Sequence, residues 1–418
     1  MRAISDIEVR GKKVLVRVDL NCPVKDGKLI GEARIRAHSG TIKELSDRGA
    51  RVIVLSHQGR KGREDFLSLE QHAKALHRIL KRDVRYVDDV IGEKAQSAIK
   101  SLKDGEILVL DNVRHLHCET EHPLGEGEII YHLSPIADYF VLDALSVAHR
   151  RHSSVVGFAK HMPCFTGDIL AGELKAVDQV RNGKDVTFIL GGSKVEDSFA
   201  VMDKWLSSGR AKEVLVGGAL SVLFLHAKGQ PVGDSLQYLE DSGLIEKVPQ
   251  AKEMLKKFDG KIILPVDVGL SIDMKREESD VKDIKRGQIW DIGKNTIKRY
   301  IEAINNSHFI VMNGPAGVYE QEDFSIGTRM ILEAVSRSDA FSLLGGGHTI
   351  SAIERFGIDK KLFGYVSLSG KALIEYICGK ELPGIAAIAD NEKLFPIKSA
   401  QPKESKTAKK PKASKKAK

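Results

Sequence analysis

The sequence predicts an α/β protein built on two parallel, helix-covered sheets joined by a helix. Three observations carry this. Short strands, apolar on both faces, alternate with helical segments through the first half. The same alternation resumes after about residue 185. Between the two lies a stretch, 151–185, with no comparable strand, whose apolar residues recur at helical spacing over Asp168–Val180. Strands buried on both faces belong to parallel sheets, because the crossover helices cover each face. A chain of 418 residues is also too long for one typical core.

Taken in order, the first-half strands are Lys13–Asp19, Arg51–Ser56, Glu106–Asp111 and Asp138–Asp143, with helices over Ala37–Arg48 and Leu69–Leu80 between them. Each strand ends in a polar cluster: Asp19 and Asn21; His57-Gln-Gly-Arg60; Asn112-Val-Arg114; Ala148-His-Arg-Arg-His152. Ligands of open parallel sheets bind outside the carboxyl ends of the strands. Arg34, Arg60, Arg114 and Arg150, with His57 and His149, are therefore placed to converge on one small anion, which the planar guanidinium fork grips bidentately. A single such arginine is commonly a solvated surface residue. Four strand ends of this kind in one half-chain make a pattern.

The second-half strands are Val186–Leu190, Glu213–Val216, Lys261–Val266, His308–Met312 and Ala340–Leu344. Their ends are glycine-rich: Gly191-Gly-Ser-Lys194, Gly217-Gly-Ala-Leu220, Asn313-Gly-Pro-Ala-Gly317 and Gly345-Gly-Gly-His-Thr349. Glycines let the backbone approach phosphates closely, and Lys194 adds a point charge. Neither a P-loop nor a dinucleotide fingerprint with its acidic partner is present.

The net charge of +8 is misleading, because residues 401–418 hold eight Lys and one Glu, leaving +1 for the rest. The body is nearly neutral and gives no ground for a general nucleic-acid surface. The Lys-rich tail, 399–418, is expected to be disordered, with weak polyanion binding as a possible role. No run approaches the roughly 20 apolar residues needed to cross a bilayer, and Met1-Arg-Ala-Ile-Ser-Asp6 lacks an apolar signal core. Cys22, Cys118, Cys164 and Cys378 are scattered, which fits a reducing cytoplasm better than a disulfide frame.

Read together, these motifs resemble the phosphoglycerate kinase family, up to about Lys398. The match rests on Val14-Leu-Val-Arg-Val-Asp-Leu-Asn21, Leu55-Ser-His-Gln-Gly-Arg60, Asn112-Val-Arg114 and Ala148-His-Arg-Arg-His-Ser-Ser154. It continues through Leu190-Gly-Gly-Ser-Lys-Val195, Leu264-Pro-Val-Asp267, Asn313-Gly-Pro-Ala-Gly-Val-Tyr-Glu320 and Gly345-Gly-Gly347. Each is weak alone, and their joint order is specific.

The resemblance implies two Rossmann-like domains with parallel sheets facing across a hinged cleft. Residues 1–165 would bind phosphoglycerate, 166–184 would be the hinge helix, 185–378 would bind nucleotide, and 379–398 would return to the first domain. The implied reaction transfers the acyl phosphate of 1,3-bisphosphoglycerate to Mg-ADP, reversibly, giving 3-phosphoglycerate and Mg-ATP. By resemblance, Asp19, Asn21, Arg34, His57, Arg60, Arg114 and Arg150 line the phosphoglycerate site. Gly191, Gly192, Lys194, Gly217, Asn313, Glu320, Gly345, Gly346, Gly347, His348 and Thr349 line the nucleotide site, with Glu320 on the ribose. Arg34 and Lys194 are the catalytic candidates, and the ion is Mg²⁺ carried with ATP or ADP. The oligomeric state, monomer or dimer, is left open.

Three departures from the family pattern stand out, and they resemble an archaeal branch. His348 follows the three glycines where many members have an aspartate. Ser198 stands where many have a second lysine. The stretch Val366-Ser-Leu-Ser-Gly-Lys371 replaces a glycine-rich one, and its Lys371 is a candidate for the missing charge. The metal ligands are unassigned, with Asp197 as a possible substitute. Two other readings compete: a non-catalytic member that binds the same ligands, and a nicotinamide-dependent dehydrogenase on doubly wound domains.

Overall fold

The computed structural model describes residues 1–121 and 127–396; the Lys-rich tail lies outside them. Two six-stranded parallel sheets are linked by the helix Asp168–Asn182. The first sheet contains β1 (Lys13–Arg17), followed by a small hairpin, β2 (Val24–Lys25) and β3 (Lys28–Leu29), which pair only with each other. Then come β4 (Arg51–Leu55), β5 (Val84–Tyr86), β6 (Ile107–Val109), β7 (Tyr139–Leu142) and β8 (Cys164–Thr166). Its order is β5-β6-β4-β1-β7-β8. The central strands are dry on both faces: Val14, Leu15 and Val16 of β1 and Val52 to Leu55 of β4 are all fully buried.

The second half contributes β9 (Val186–Leu190), β10 (Ala211–Val216), β11 (Ile262–Ile263), β12 (Asp267–Ile272), β13 (Lys275–Asp280), β14 (Gln288–Ile292), β15 (Phe309–Asn313), β16 (Phe341–Gly345) and β17 (Tyr365–Val366). The main sheet runs β11-β10-β9-β15-β16-β17, the doubly wound order in which the chain reverses direction between its first and fourth strands. In the first sheet the reversal falls between β1 and β7. Loops on the two sides of such a reversal diverge and open a crevice.

Two corrections to the sequence reading concern strands. Residues 151–185 do contain one, β8, which extends the sheet beyond β7. It is three residues long and follows Pro163, so it carries too little pattern to be seen. The strand expected over Lys261–Val266 pairs only at Ile262–Ile263. Pro265 has no N–H to give, and the chain turns there into an antiparallel sheet, β13-β12-β14, that the sequence reading lacked.

The linking helix begins one residue after Gly167, where Asp143 Oδ1 accepts from the N–H groups of Ile169 (2.9 Å) and Leu170 (3.1 Å). A carboxylate at the amino end of β7's neighbouring helix satisfies free donors and favours the helix dipole. One turn on, Glu173 is buried and accepts from Ser367 Oγ (2.5 Å) and Ser369 Oγ (3.1 Å) of the second half. Burial raises the pKa of this carboxyl group above the usual range.

After the second sheet, the helix Pro383–Leu394 lies against the first. Its buried Asn391 donates to the carbonyls of Ala159 (2.6 Å) and Met162 (2.9 Å) and accepts from the N–H of Cys164 in β8 (2.8 Å). Arg2 Nη2 also donates to Asn391 Oδ1, at 3.1 Å. No helix among the described residues is long and apolar enough to cross a membrane.

Candidate active site

The loops after β1, β4, β6 and β7 frame one cavity of about 830 Å³. Asp19, Asn21, Arg34, His57, Arg60, Arg114 and Arg150 all line it, as does His149. Lys194, Gly370 and Lys371 of the second half complete its wall. The sequence reading missed Lys61, His117 and Ser146, which also line it.

The arginine-rich wall is braced from behind. Arg17, at the end of β1, is buried; its Nε donates to Ser154 Oγ (2.8 Å) and its Nη2 to His57 Nδ1 (3.2 Å). A guanidinium can only donate, so His57 Nδ1 accepts and its ring proton sits on Nε2. Burial, then the charges of Arg17, Arg114 and Arg150, hold the His57 pKa well below its usual value, so the ring is neutral. Ser154 Oγ donates in turn to the buried Glu119 (2.7 Å), whose charge partly offsets that of Arg17.

Arg114 donates to the carbonyl of Gly59, and its backbone N–H is held by Asn112 Oδ1 at 3.1 Å. Burial, then Arg150 and Arg17, push Arg114 down to about 10; burial, then Arg60, lowers Arg150. These half-buried cations destabilise one another, and an incoming polyanion relieves that repulsion. Asp19 is the exception. It pairs with Arg34 and accepts from Ser146 Oγ (2.5 Å) and the N–H of Asn21 (3.1 Å). Arg34 also donates to the carbonyl of Leu368 in the second half, at 3.2 Å.

Two smaller cavities lie at the ends of β9 and β15. One, of about 70 Å³, is lined by Gly191, Gly192, Lys194, Asn313, Gly346, Gly347 and His348, with Asp197 and Lys371. Its glycines are required by contact: a Cβ on Gly191 would sit 2.0 Å from the carbonyl oxygen of Pro315, and one on Gly314 (φ +91) 2.3 Å from that of Gly191. The other, of about 290 Å³, is an apolar slot containing Val222, Tyr238, Ile289, Trp290 and Val318, with Glu320 and His348 at its polar side. His348 Nδ1 stands 3.7 Å from Glu320 Oε1.

Three expected nucleotide residues line neither cavity. Thr349 is buried, and its Oγ1 accepts from the N–H of Gly314 at 2.9 Å, fixing the loop after β15. Gly217 and Gly345 pack close to Ala316 and Leu373. Tyr238, Gln288 and Trp290 were missed altogether; Tyr238 and Trp290 stand far apart in the chain and share no motif.

A basic cleft on one doubly wound domain, facing glycine loops and an apolar slot on another, is the apparatus of a two-domain phosphotransferase. A family model described as phosphoglycerate kinase matches residues 4–380. A curated phosphoglycerate kinase of Methanothermobacter thermautotrophicus is 41% identical over 399 residues, covering 93% of this chain and 97% of its own. One of Pyrococcus horikoshii is 38% identical over 400 residues, at 93% and 97% coverage. The crystal structure of phosphoglycerate kinase from Pyrococcus horikoshii is similar with a TM-score of 0.90 and 37% identity, over 94% of this chain and 100% of that one. That from Coxiella burnetii gives 0.77 and 31%, over 93% and 98%. The chain belongs to the phosphoglycerate kinase family. Its two Rossmann-like domains are those of that fold, and the dehydrogenase reading is set aside.

Proposed function

We propose that the basic cleft takes the phosphoglycerate and the slot with its glycine loops takes the nucleotide, so that residues 1–165 and 185–378 are the two substrate domains of the kinase. The activity is that of the family, transfer of a phosphoryl group between 1,3-bisphosphoglycerate and Mg-ADP to give 3-phosphoglycerate and Mg-ATP. One observation supports the assignment most: a single cavity joins all seven expected first-half residues to Lys194 of the second.

In this reading Arg60, Arg114 and Arg150 bind the phosphate that stays with the glycerate. Neutral His57 adds a donor through Nε2. Asp19, an anion in an anion site, suits the one donor the substrate offers, its C2 hydroxyl. The adenine enters the slot beside Trp290 and Tyr238, and Glu320 accepts from the ribose. The phosphate chain then lies over Gly191–Lys194.

In transfer toward ATP, a β-phosphate oxygen of ADP forms a bond to the acyl phosphorus. The acyl P–O bond breaks, and its electron pair stays on the departing carboxylate. No protein nucleophile and no proton shuttle is needed, so positioning and charge stabilisation dominate. Arg34, which reaches both halves, and Lys194 stabilise the oxygens in flight. Closure of the cleft brings the half-sites together and excludes water from a hydrolysable acyl phosphate.

Magnesium fits as a nucleotide-borne ion. Among the described residues no group of three His, Cys, Asp or Glu forms a metal cluster, and Asp197 is the carboxylate lining the glycine cavity. Mg²⁺ commonly takes one or two carboxylates with phosphate oxygens and water. When bound it supplies charge neutralisation at the phosphates. The substrates of such an enzyme are cytoplasmic metabolites, and we place the protein there. The deciding assay is ATP formation from ADP, 1,3-bisphosphoglycerate and Mg²⁺ by the purified full chain. Ligand binding with no turnover would instead favour the non-catalytic reading.

A further inference from the structure

We propose that Lys371 is a second cation at the phosphoryl group in flight, acting beside Lys194 at the junction of the two half-sites. The inference rests on the kinase reading above. Its first support is placement. Lys194, Gly370 and Lys371 line both the large basic cleft and the small glycine cavity, and no other described residue does. A group that leaves one cavity for the other passes between these residues, and two of them are lysines.

The second support is the mount. Lys371 opens the short helix Lys371–Ile377, and the four residues before it are tied down from two sides. Glu173 of the linking helix accepts from Ser367 and Ser369, and Arg34 of the first domain holds the Leu368 carbonyl at 3.2 Å. The catalytic candidate Arg34 and the base of Lys371 are thus fixed to each other through three residues of backbone.

The third support is charge. Lys371 is exposed, and among the described residues its ammonium enters no ion pair. Its neighbours Lys247 and Lys380 are each committed to a carboxylate, Glu196 and Glu375. Its field reaches both domains. Behind burial and Arg150, it helps hold His149 of the first domain at about 4. Behind Lys247, it contributes to the lowered pKa of Glu196 in the second. Ser198, one turn beyond Lys194, brings no charge: it is buried, with its Oγ 3.5 Å from the Lys194 carbonyl. A phosphoryl group passing from acyl oxygen to ADP oxygen spreads charge over three equatorial oxygens. With Ser198 uncharged, Lys371 is the remaining lysine at the crossing.

The test compares wild type, Lys371→Ala and Lys371→Arg, reading kcat, both KM values, ADP affinity by calorimetry and Tm. Lys371→Ala should lower kcat about 100-fold while ADP affinity and both KM values move less than about threefold. Lys371→Arg should recover most of the loss, and Tm should not change, as expected for an exposed side chain. If Lys371→Ala keeps kcat within about twofold, or its defect lies wholly in KM, the inference is wrong while the kinase reading stands. An inactive wild type would overturn both.

Discussion

At the ends of β4 and β6 the cleft is made of side chains: His57 and Arg114 project from loops held rigid by Arg17, Asn112 and Glu119. At the ends of β9 and β15 the wall is backbone: Gly191 packs on the Pro315 carbonyl and Gly314 on that of Gly191, so closely that neither tolerates a Cβ. The first domain collects charge and spends stability to keep like charges together. The second removes side chains, leaving main chain and two lysines, Lys194 and Lys371, to line its small cavity. A bound anion relieves repulsion in the first, whereas in the second the N–H groups of Gly191, Gly192 and Gly314 are already bonded within the loops and hold their shape.

The largest effect should come from removing the cations that serve both sides. Arg34→Ala and Lys194→Ala are each expected to lower kcat by about 10³-fold, with the Tm nearly unchanged for Lys194. Stopped-flow turnover and thermal melts measure both. Near-full kcat in either variant would break the pairing of the two domains at these residues.

A second, smaller effect concerns acid. His57, His72 and His149 all belong to the first domain. His72 is buried, its Nε2 meets Gln58 Oε1 at 3.0 Å, and among the described residues its Nδ1 has no partner. Burial pushes its pKa down to about 4. Below pH 6.5 the unfolded chain takes up a proton that the folded chain refuses, so stability falls as pH drops toward 4 and is fully present above 6.5. At full extent His72 alone is worth about 3 kcal/mol. Both tryptophans, Trp205 and Trp290, lie in the second half. In an acid titration, far-UV circular dichroism should therefore change before tryptophan fluorescence, and His72→Gln should narrow the gap. Coincident transitions in the wild type would contradict a domain-specific acid response.

The smallest effect tests the slot. Trp290→Leu should weaken ADP binding about tenfold and leave phosphoglycerate binding unchanged, as two titrations would show. A change in both affinities would mean that the slot and cleft are not separate half-sites.

The arginine-lined wall was legible because most of its residues follow apolar runs buried at the centre of the sheet; the pattern that makes β1, β4, β6 and β7 visible also marks where they end. The slot was not. Tyr238 and Trp290 come from a helix and from β14, and the sheet of β14 includes β13, Lys-Arg-Glu-Glu-Ser-Asp, a strand with no apolar residue. Hydrophobic alternation carries no signal there, because that strand is held by pairing to β12 with little burial. Val84–Tyr86 and Cys164–Thr166 escaped for a different reason: three residues at a sheet edge give no period to read. Thr349 shows a third limit. A motif places it beside the nucleotide, yet its hydroxyl is occupied inside, on Gly314.

The helix that carries Asn391 has a consequence for how the molecule is made. A ribosome delivers residues 1–165 early, but the N–H of Cys164 and the carbonyls of Ala159 and Met162 find Asn391 only after more than half the chain has followed. The domain synthesised first is thus the last to be completed: residues 2 and 3 can bridge Thr166 at the end of β8 early, but the N–H of Cys164 gains its partner only with the final helix.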